Sequence, residues 1–518
     1  MAVSEEEDNY CMNDKIKKSV KPILIIWFIS VLCYLPLIAR GLTNSVDGCW
    51  HSGYFQAGNW ELSIGRWAWL FLDKARGGYA AEPFNSLLTL LLISIAAYIA
   101  ITMFISGKLK SYIYAMLILC SVSVCCFLSF RYMSPTFGMS VLLSTIAALL
   151  ITRETDSKRK EIILFLACVA LIVLTLGLYQ ANLGCFGAIV VVYMMQLIIN
   201  SKSKQCLRVL VKSLIAGMAG CVLYKIAWEI CLRFRHVSAA SYRGADSISV
   251  GKILTGLPGS IRDIYEAWLT CPIYNGNYIF RPIRALIVLM MFVLVLFVGI
   301  RALRKDVKSL IIFLLLFLVL PIGANISIVL SAGVTLVDAQ MTGPITMSVP
   351  ILLCMIESVG FKYDKLLGIM GALLLYGNVY AVGTDIDAMA QGSTSSCVIM
   401  NSIVNTLNND GILSDDYRYA FYGNISANEL FKVNELYTEA NWYARFGDML
   451  GGFDMSCNTY WGLLDDIGVD VEMVGVEDFK EIYYSGVLEE MPAYPAQGSI
   501  LEKDGCVIIK VSDDCVYE

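Results

Sequence analysis

Residues 161–199 read EIILFLACVALIVLTLGLYQANLGCFGAIVVVYMMQLII. One helix over this run would be about 58 Å long at 1.5 Å per residue, roughly twice the ~30 Å hydrocarbon core of a bilayer. The run therefore predicts two antiparallel spans, with Tyr179-Gln180-Ala181-Asn182 as the polar place to fold back.

Similar runs recur along the chain. Its 518 residues are 57% hydrophobic and 16% charged, with mean hydropathy +0.65, against about 25% charged residues in soluble proteins. Lipid forces backbone polar groups to bond within a segment. The predicted fold class is thus a polytopic α-helical membrane protein of about eleven spans, at 22–38, 85–105, 111–130, 135–151, 161–178, 183–199, 209–232, 283–300, 310–330, 345–359 and 366–382. The polar start carries Lys15, Lys17, Lys18 and Lys21 before the first span, with no small-residue cleavage site after it, which predicts an uncleaved anchor.

Lys and Arg concentrate in alternate connections, among them Lys108 and Lys110, Arg153 and Lys158 to Lys160, Arg301 to Lys308, and Lys362 and Lys365. The positive-inside bias makes these cytoplasmic. An odd number of spans then puts the first outer loop (40–84), the long loop 233–282 and the tail on the outer face. From residue 384 the chain holds 24 acidic against 6 basic residues, and the rest holds 20 against 33. This divides it into a basic membrane domain, 1–383, and an acidic extracytoplasmic domain, 384–518. The tail reads as a small α/β unit: a helix over 395–407, strands at 417–422 and 469–476, and a hairpin over 499–511 turning at Asp504-Gly505.

Seventeen cysteines lie mostly inside apolar runs, where cysteine acts as a small hydrophobe. Cys49, Cys271, Cys397, Cys457, Cys506 and Cys515 are the candidates for bridges outside the cell. With two histidines and no metal-type spacing, no metal and no cofactor are expected. The want of a basic domain argues against nucleic acid as a partner.

The first outer loop, residues 47–83, reads DGCWHSGYFQAGNWELSIGRWAWLFLDKARGGYAAEP. It gathers a lone carboxylate (Asp47), aromatic faces (Trp50, Tyr54, Trp60, Trp67), the Gly65-Arg66 pair and His51. These suit a sugar site, and equally an amphipathic connector anchored at the headgroups. An Asp after span 1, Trp60, Gly65-Arg66-Trp67 and Pro83 before span 2 resemble the bacterial Gtr-type membrane glucosyltransferases. So do Tyr179-Gln180-Ala181, the stretch 341–350 and the ending at 491–500. The resemblance implies a GT-C-like fold that moves glucose from a polyprenyl-phosphate carrier to a cell-surface glycan, with an essential Asp in this loop. Many relatives pair two Asp residues here; this chain has Asp47-Gly48.

A glycosyl phosphate has a good leaving group and needs an activated nucleophile. Asp47 is the expected general base, a role worth about 10²- to 10⁴-fold. One carboxylate suffices for an inverting displacement; a retaining one asks for two carboxyl groups about 5 Å apart, and Glu61 is the nearby candidate. The leaving phosphate calls for arginine, whose fork is always charged: Arg66 first, then Arg243, then Arg131. Trp50 and Trp60 offer stacking faces, Tyr179 and Gln180 a hydroxyl and an amide, and Asp338 with Gln340 a carboxylate and an amide at an outer apolar edge. Each has a bland alternative, snorkelling or belt anchoring for the arginines and tryptophans and capping of freed backbone for Gln180. The expected partners are the bilayer, a polyprenyl-phosphate sugar and a surface glycan. The competing function classes are a lipid-linked sugar transporter or flippase, which calls for internal repeats and midplane charges, and a polysaccharide polymerase.

Overall fold

The computed structural model describes residues 2–45, 47–49, 54–105, 109–242, 250–274, 281–330, 338–448, 452–515 and 517. Trp50, His51 and Arg243 lie outside them. The membrane part runs α1 (Ala2–Arg40), two short helices α2 (Asn59–Ser63) and α3 (Trp67–Arg76), then α4 (Phe84–Thr102), α5 (Leu109–Leu119), α6 (Val122–Ser129), α7 (Ser134–Thr152), α8 (Lys158–Leu178), α9 (Leu183–Ile199), α10 (Ser203–Arg235), α11 (Val250–Tyr274), α12 (Arg281–Leu303), α13 (Val307–Ala324), α14 (Ile326–Leu330), α15 (Gly343–Ser358) and α16 (Asp364–Asn409).

Among the described residues nine helices are long and apolar enough to cross a bilayer, and a tenth span results if the bent pair α5 and α6 is one crossing. The remaining expected span is α15, shorter and apolar, with almost every residue buried. It sits centrally, against α9, α5 and α11, so its length is set by protein neighbours rather than by lipid. The fold class is thus the one the composition predicts, a polytopic helical membrane protein with a small C-terminal sheet domain. The run 161–199 folds back at Tyr179, where Gln180–Asn182 make one 3₁₀ turn between α8 and α9.

Four local expectations are corrected. The long loop 233–282 is largely helix: α10 continues to Arg235 and α11 occupies much of the rest. Leu257, Ile261, Ile264 and Trp268 recur at three- and four-residue spacing, an amphipathic stripe too dilute to read as a span. The expected span 310–330 breaks at Asn325, whose amide donates to the Pro321 carbonyl at 3.3 Å, so that α13 ends and α14 begins. The expected strand 469–476 pairs only at Glu472–Met473, because Gly475 opens a helix with Glu477 and Asp478 in its first turn, where the dipole favours acids. Cys49, Cys397, Cys457, Cys506 and Cys515 are free thiols.

α16 passes position 384 without a break and carries the tail on its far half. There β1 (Arg418–Tyr422), α17 (Phe453–Asp466), β2 (Glu472–Met473), α18 (Val476–Tyr484), α19 (Val487–Glu490), β3 (Ile500–Lys503) and β4 (Cys506–Lys510) build a sheet in the order β2-β1-β4-β3. β1 is parallel to β2 and β4, and β3 closes the antiparallel hairpin at Asp504-Gly505. Both faces are covered, as a parallel core requires. Tyr419, Phe421, Val507 and Ile509 pack on α16 and α17, while Ala420, Tyr422 and Ile508 pack on Phe479 and Leu488. This period-two split is why these strands read as continuous apolar runs.

Candidate functional site

Asp47 is held by a turn built from its own neighbours. Asn44 Oδ1 accepts the N–H groups of Asp47 and Gly48 at 3.0 and 3.1 Å, and Asn44 Nδ2 donates to Ser129 Oγ at 3.1 Å. Thr43 Oγ1 donates to the Ser129 carbonyl at 2.8 Å. An Asn that bonds the backbone a few residues on is the ordinary chemistry of such turns. Here it ties the end of α1 to the end of α6. Position 48 has no room for a second carboxylate: a Cβ there would lie 1.6 Å from Thr43 Oγ1 and 2.7 Å from the Ser129 carbonyl. Gly48→Ala is expected to displace the turn and cut activity severely, read as lost turnover in protein that still inserts and purifies.

The second half of the loop is fixed by a buried ion pair. Arg76 Nη2 lies 2.6 Å from Asp73 Oδ1, with both side chains almost wholly buried. Arg76 also donates to Asn85 Oδ1 at 3.0 Å, to the Tyr132 carbonyl at 2.8 Å and to the Tyr79 carbonyl. Asp73 Oδ2 accepts the Ala57 N–H at 2.8 Å. Burial pushes the Asp73 carboxyl up, and Arg76 opposes the shift. Arg76→Met would leave that carboxylate uncompensated, a loss of about 3–5 kcal/mol. A large drop in thermal midpoint in detergent is expected, partly recovered in the Asp73→Asn/Arg76→Met double variant.

These ties surround a cavity of about 850 Å³ lined by Asp47, Glu61, Arg66, Asp338, Trp60, Trp69, Tyr132 and Tyr179, among others. Asp47 is partly buried there. Desolvation pushes its carboxyl up to about 6, Arg66 opposes this, and the charge of Glu61 adds to it. Glu61 Oε2 accepts the Gly58 N–H at 2.7 Å, so its position is fixed by the start of α2. Gly65 has φ +87°, and its missing Cβ leaves room for Tyr224 Oη and Gln180 Nε2. Gln180 donates to the Ile64 carbonyl and Tyr224 to the Gly65 carbonyl, each at 3.1 Å. That turn sends Arg66 over the Tyr179 ring, 5.2 Å from its centroid. Arg66 Nε is buried with no hydrogen-bond partner among the described residues, an arrangement that costs about 1–3 kcal/mol unless a ligand fills it.

A second cavity of about 350 Å³ adjoins the first and shares Ile64, Arg66, Tyr179, Tyr242 and Gln340 with it. Its other walls are mostly apolar or aromatic: Leu176, Ala181, Cys221, Tyr224, Trp228, Ile253, Leu330 and Met341, with Gln180, Lys225 and Ser327 beside them.

Of the expected site residues, Asp47, Trp60, Arg66, Tyr179 and Asp338 thus line one cavity, Gln180 lines its neighbour, and Gly65 shapes the wall between. Arg131 lines neither. Its Nη1 faces Gly41, and its charge reaches Glu82 and Asp466. Sequence reading missed Asn44, whose place in Thr43-Asn44-Ser45 was an available turn signal. Gln340, noted beside Asp338, lines both cavities, whereas sequence reading also missed Tyr132, Trp69 and Tyr242, and every contribution of the tail: Trp442, Tyr443, Phe453, Asp454, Met455, Asn458 and Lys480. Nothing local marks those.

A family model described as Glucosyl transferase GtrII matches residues 53–355, more than half of the chain. The match begins six residues after Asp47. No curated protein matches the chain, and no solved structure does.

Proposed function

The chain belongs to the GtrII glucosyl transferase family, and from that premise we propose that it moves a glucosyl residue from a polyprenyl-phosphate carrier to a cell-surface polysaccharide at the outer face of the membrane. The observation that carries this reading is the pair of joined cavities. A carrier lipid has an apolar tail, an anionic phosphate and a polar sugar in series. The two cavities offer a mostly apolar recess, a half-buried arginine at the junction and a carboxylate chamber in the same order.

Asp47 takes the proton of an acceptor hydroxyl as that oxygen bonds to the anomeric carbon. The bond from this carbon to the carrier phosphate breaks, and the lipid phosphate departs with its charge against Arg66. The unpartnered Nε and the planar fork of that side chain suit two phosphate oxygens. We read the reaction as a single displacement with inversion. Glu61 shares the chamber and raises the Asp47 pKa, which favours a base that accepts a proton near neutral pH. Trp60, which is more than half exposed and packs its edge on Tyr242 at 5.8 Å, offers the sugar a face. No metal takes part in this scheme, because Arg66 supplies the positive charge.

The test is transfer by purified full-length protein in liposomes. Synthetic polyprenyl-phosphate-glucose should be consumed equally with and without chelator, and UDP-glucose should not be. Transfer from UDP-glucose alone would overturn the donor, and loss of activity on chelation would overturn the metal-free scheme.

A further inference from the structure

We infer that the C-terminal domain builds the acceptor subsite, binding a neutral, hydroxyl-rich sugar of the glycan through Trp442, Asp454 and Asn458. The inference rests on the transferase reading above and extends it to which part of the chain chooses the acceptor.

Three observations carry it. First, the walls of the two cavities divide along the chain. The apolar cavity draws every lining residue from 64–341, inside the stretch the family model matches. The carboxylate chamber also draws on both sides of that stretch, with Asn44 and Asp47 before it and a third of its wall from residues 442–480 beyond it. The donor side is therefore family-wide material, and the tail touches the chamber alone.

Second, the tail is clamped, so its side chains keep a set position relative to Asp47. On α16 the buried Asp385 accepts the Asn441 backbone N–H at 3.0 Å and its amide at 3.0 and 3.1 Å. Tyr443 Oη lies 2.5 Å from Asp385 Oδ2 and 3.1 Å from the Val122 carbonyl at the start of α6. On the other side Ser45 Oγ donates to the Asp448 carbonyl at 3.0 Å, Thr459 Oγ1 donates to the Ser45 carbonyl at 3.3 Å, and Cys49 is buried in the tail's own core. The loop that carries Asp47 is thus packed into the tail from both flanks.

Third, the groups the tail presents have the chemistry of sugar recognition. Trp442 is 39% exposed despite its size. Asp454 and Asn458 stand exposed four residues apart on one face of α17. An indole face stacks on the C–H side of a pyranose, and a carboxylate with an amide spans its hydroxyls as acceptor and donor. Lys480 also lines the chamber, with Glu477 2.9 Å from its ammonium and the charge of Asp454 acting on it, so the tail sets its cation among its carboxylates, a balance suited to a neutral sugar.

The experiment uses the full chain, polyprenyl-phosphate-glucose as donor and, as acceptor probe, delipidated surface polysaccharide from source cells in which the gene for this chain is deleted, so that its accepting hydroxyls are free. Trp442→Ala and the double variant Asp454→Asn/Asn458→Ala, all at exposed positions, are compared with the unaltered protein. The expected result is an acceptor KM raised about tenfold or more in each, the loss of one good contact. Donor KM and the slow release of glucose to water without acceptor should be unchanged. An unchanged acceptor KM in both variants overturns the subsite, as does an equal fall in acceptor-free donor hydrolysis, which would mark a structural role. If the unaltered protein consumes no donor at all, the transferase reading itself fails, and the subsite with it.

Discussion

Asp47→Asn is expected to lower turnover by about 10²- to 10⁴-fold, the usual worth of a positioned general base, without loss of folded protein. The Asn44 turn bonds the Asp47 backbone and not its carboxylate, so an isosteric amide keeps the geometry and removes only the proton acceptor. Stability separates this outcome from simple damage. The Asp47 carboxyl titrates near 6 in the fold against 3.8 for the free side chain, chiefly through burial. A carboxylate raised in this way destabilises the fold once ionised: the penalty is absent below pH 4 and fully present above about pH 6. Asn escapes it, so the variant should match or exceed the parent's stability at pH 7.5, by at most roughly 3 kcal/mol and less as solvent reaches the half-buried group, read as an equal or higher thermal midpoint. An inactive variant that is also much less stable would mean that Asp47 holds the loop rather than serving the reaction. Undiminished transfer by Asp47→Asn would end its role as base.

What the sequence disclosed follows from which interactions are local. Spans were legible because lipid imposes an apolar length on each helix separately, and the Asp504-Gly505 hairpin because its turn needs φ values of 52° and 75° that few other residue pairs adopt. Asp47, Arg66 and Tyr179 could be named as candidates, since a carboxylate, an arginine and a tyrosine at one end of the bundle are unusual enough to notice. Their meeting could not be read, because it depends on the φ +87° turn at Gly65 and on Gln180 bonding Ile64 across 116 residues. The same holds for Gly48, whose meaning lies in the Ser129 carbonyl pressed against it. α11 was overlooked because its stripe is one-sided and interrupted by polar residues. The tail's share of the chamber was invisible because Asp385 and Tyr443 join it to α6 through contacts with no sequence periodicity.

Arg66→Gln is expected to cost about 10²- to 10³-fold in kcat/KM, the scale seen when a donor aimed at developing charge is removed. Arg66→Lys should recover part of it, since a point charge survives while the fork does not. The pH profile supplies the more demanding test. For the parent, kcat/KM should fall as pH drops through about 6, where Asp47 takes up its proton. Arg66 holds that pKa down and Glu61 holds it up. Removing the cation in Arg66→Gln should therefore move the acid limb above 6, Arg66→Lys should leave it near the parent's, and Glu61→Gln should move it below. Opposite displacements from two residues of opposite charge tie the limb to a group lying between them in the chamber. A limb that ignores both substitutions would belong to some other carboxyl, and Asp47 and Arg66 could not then be acting on the same sugar phosphate.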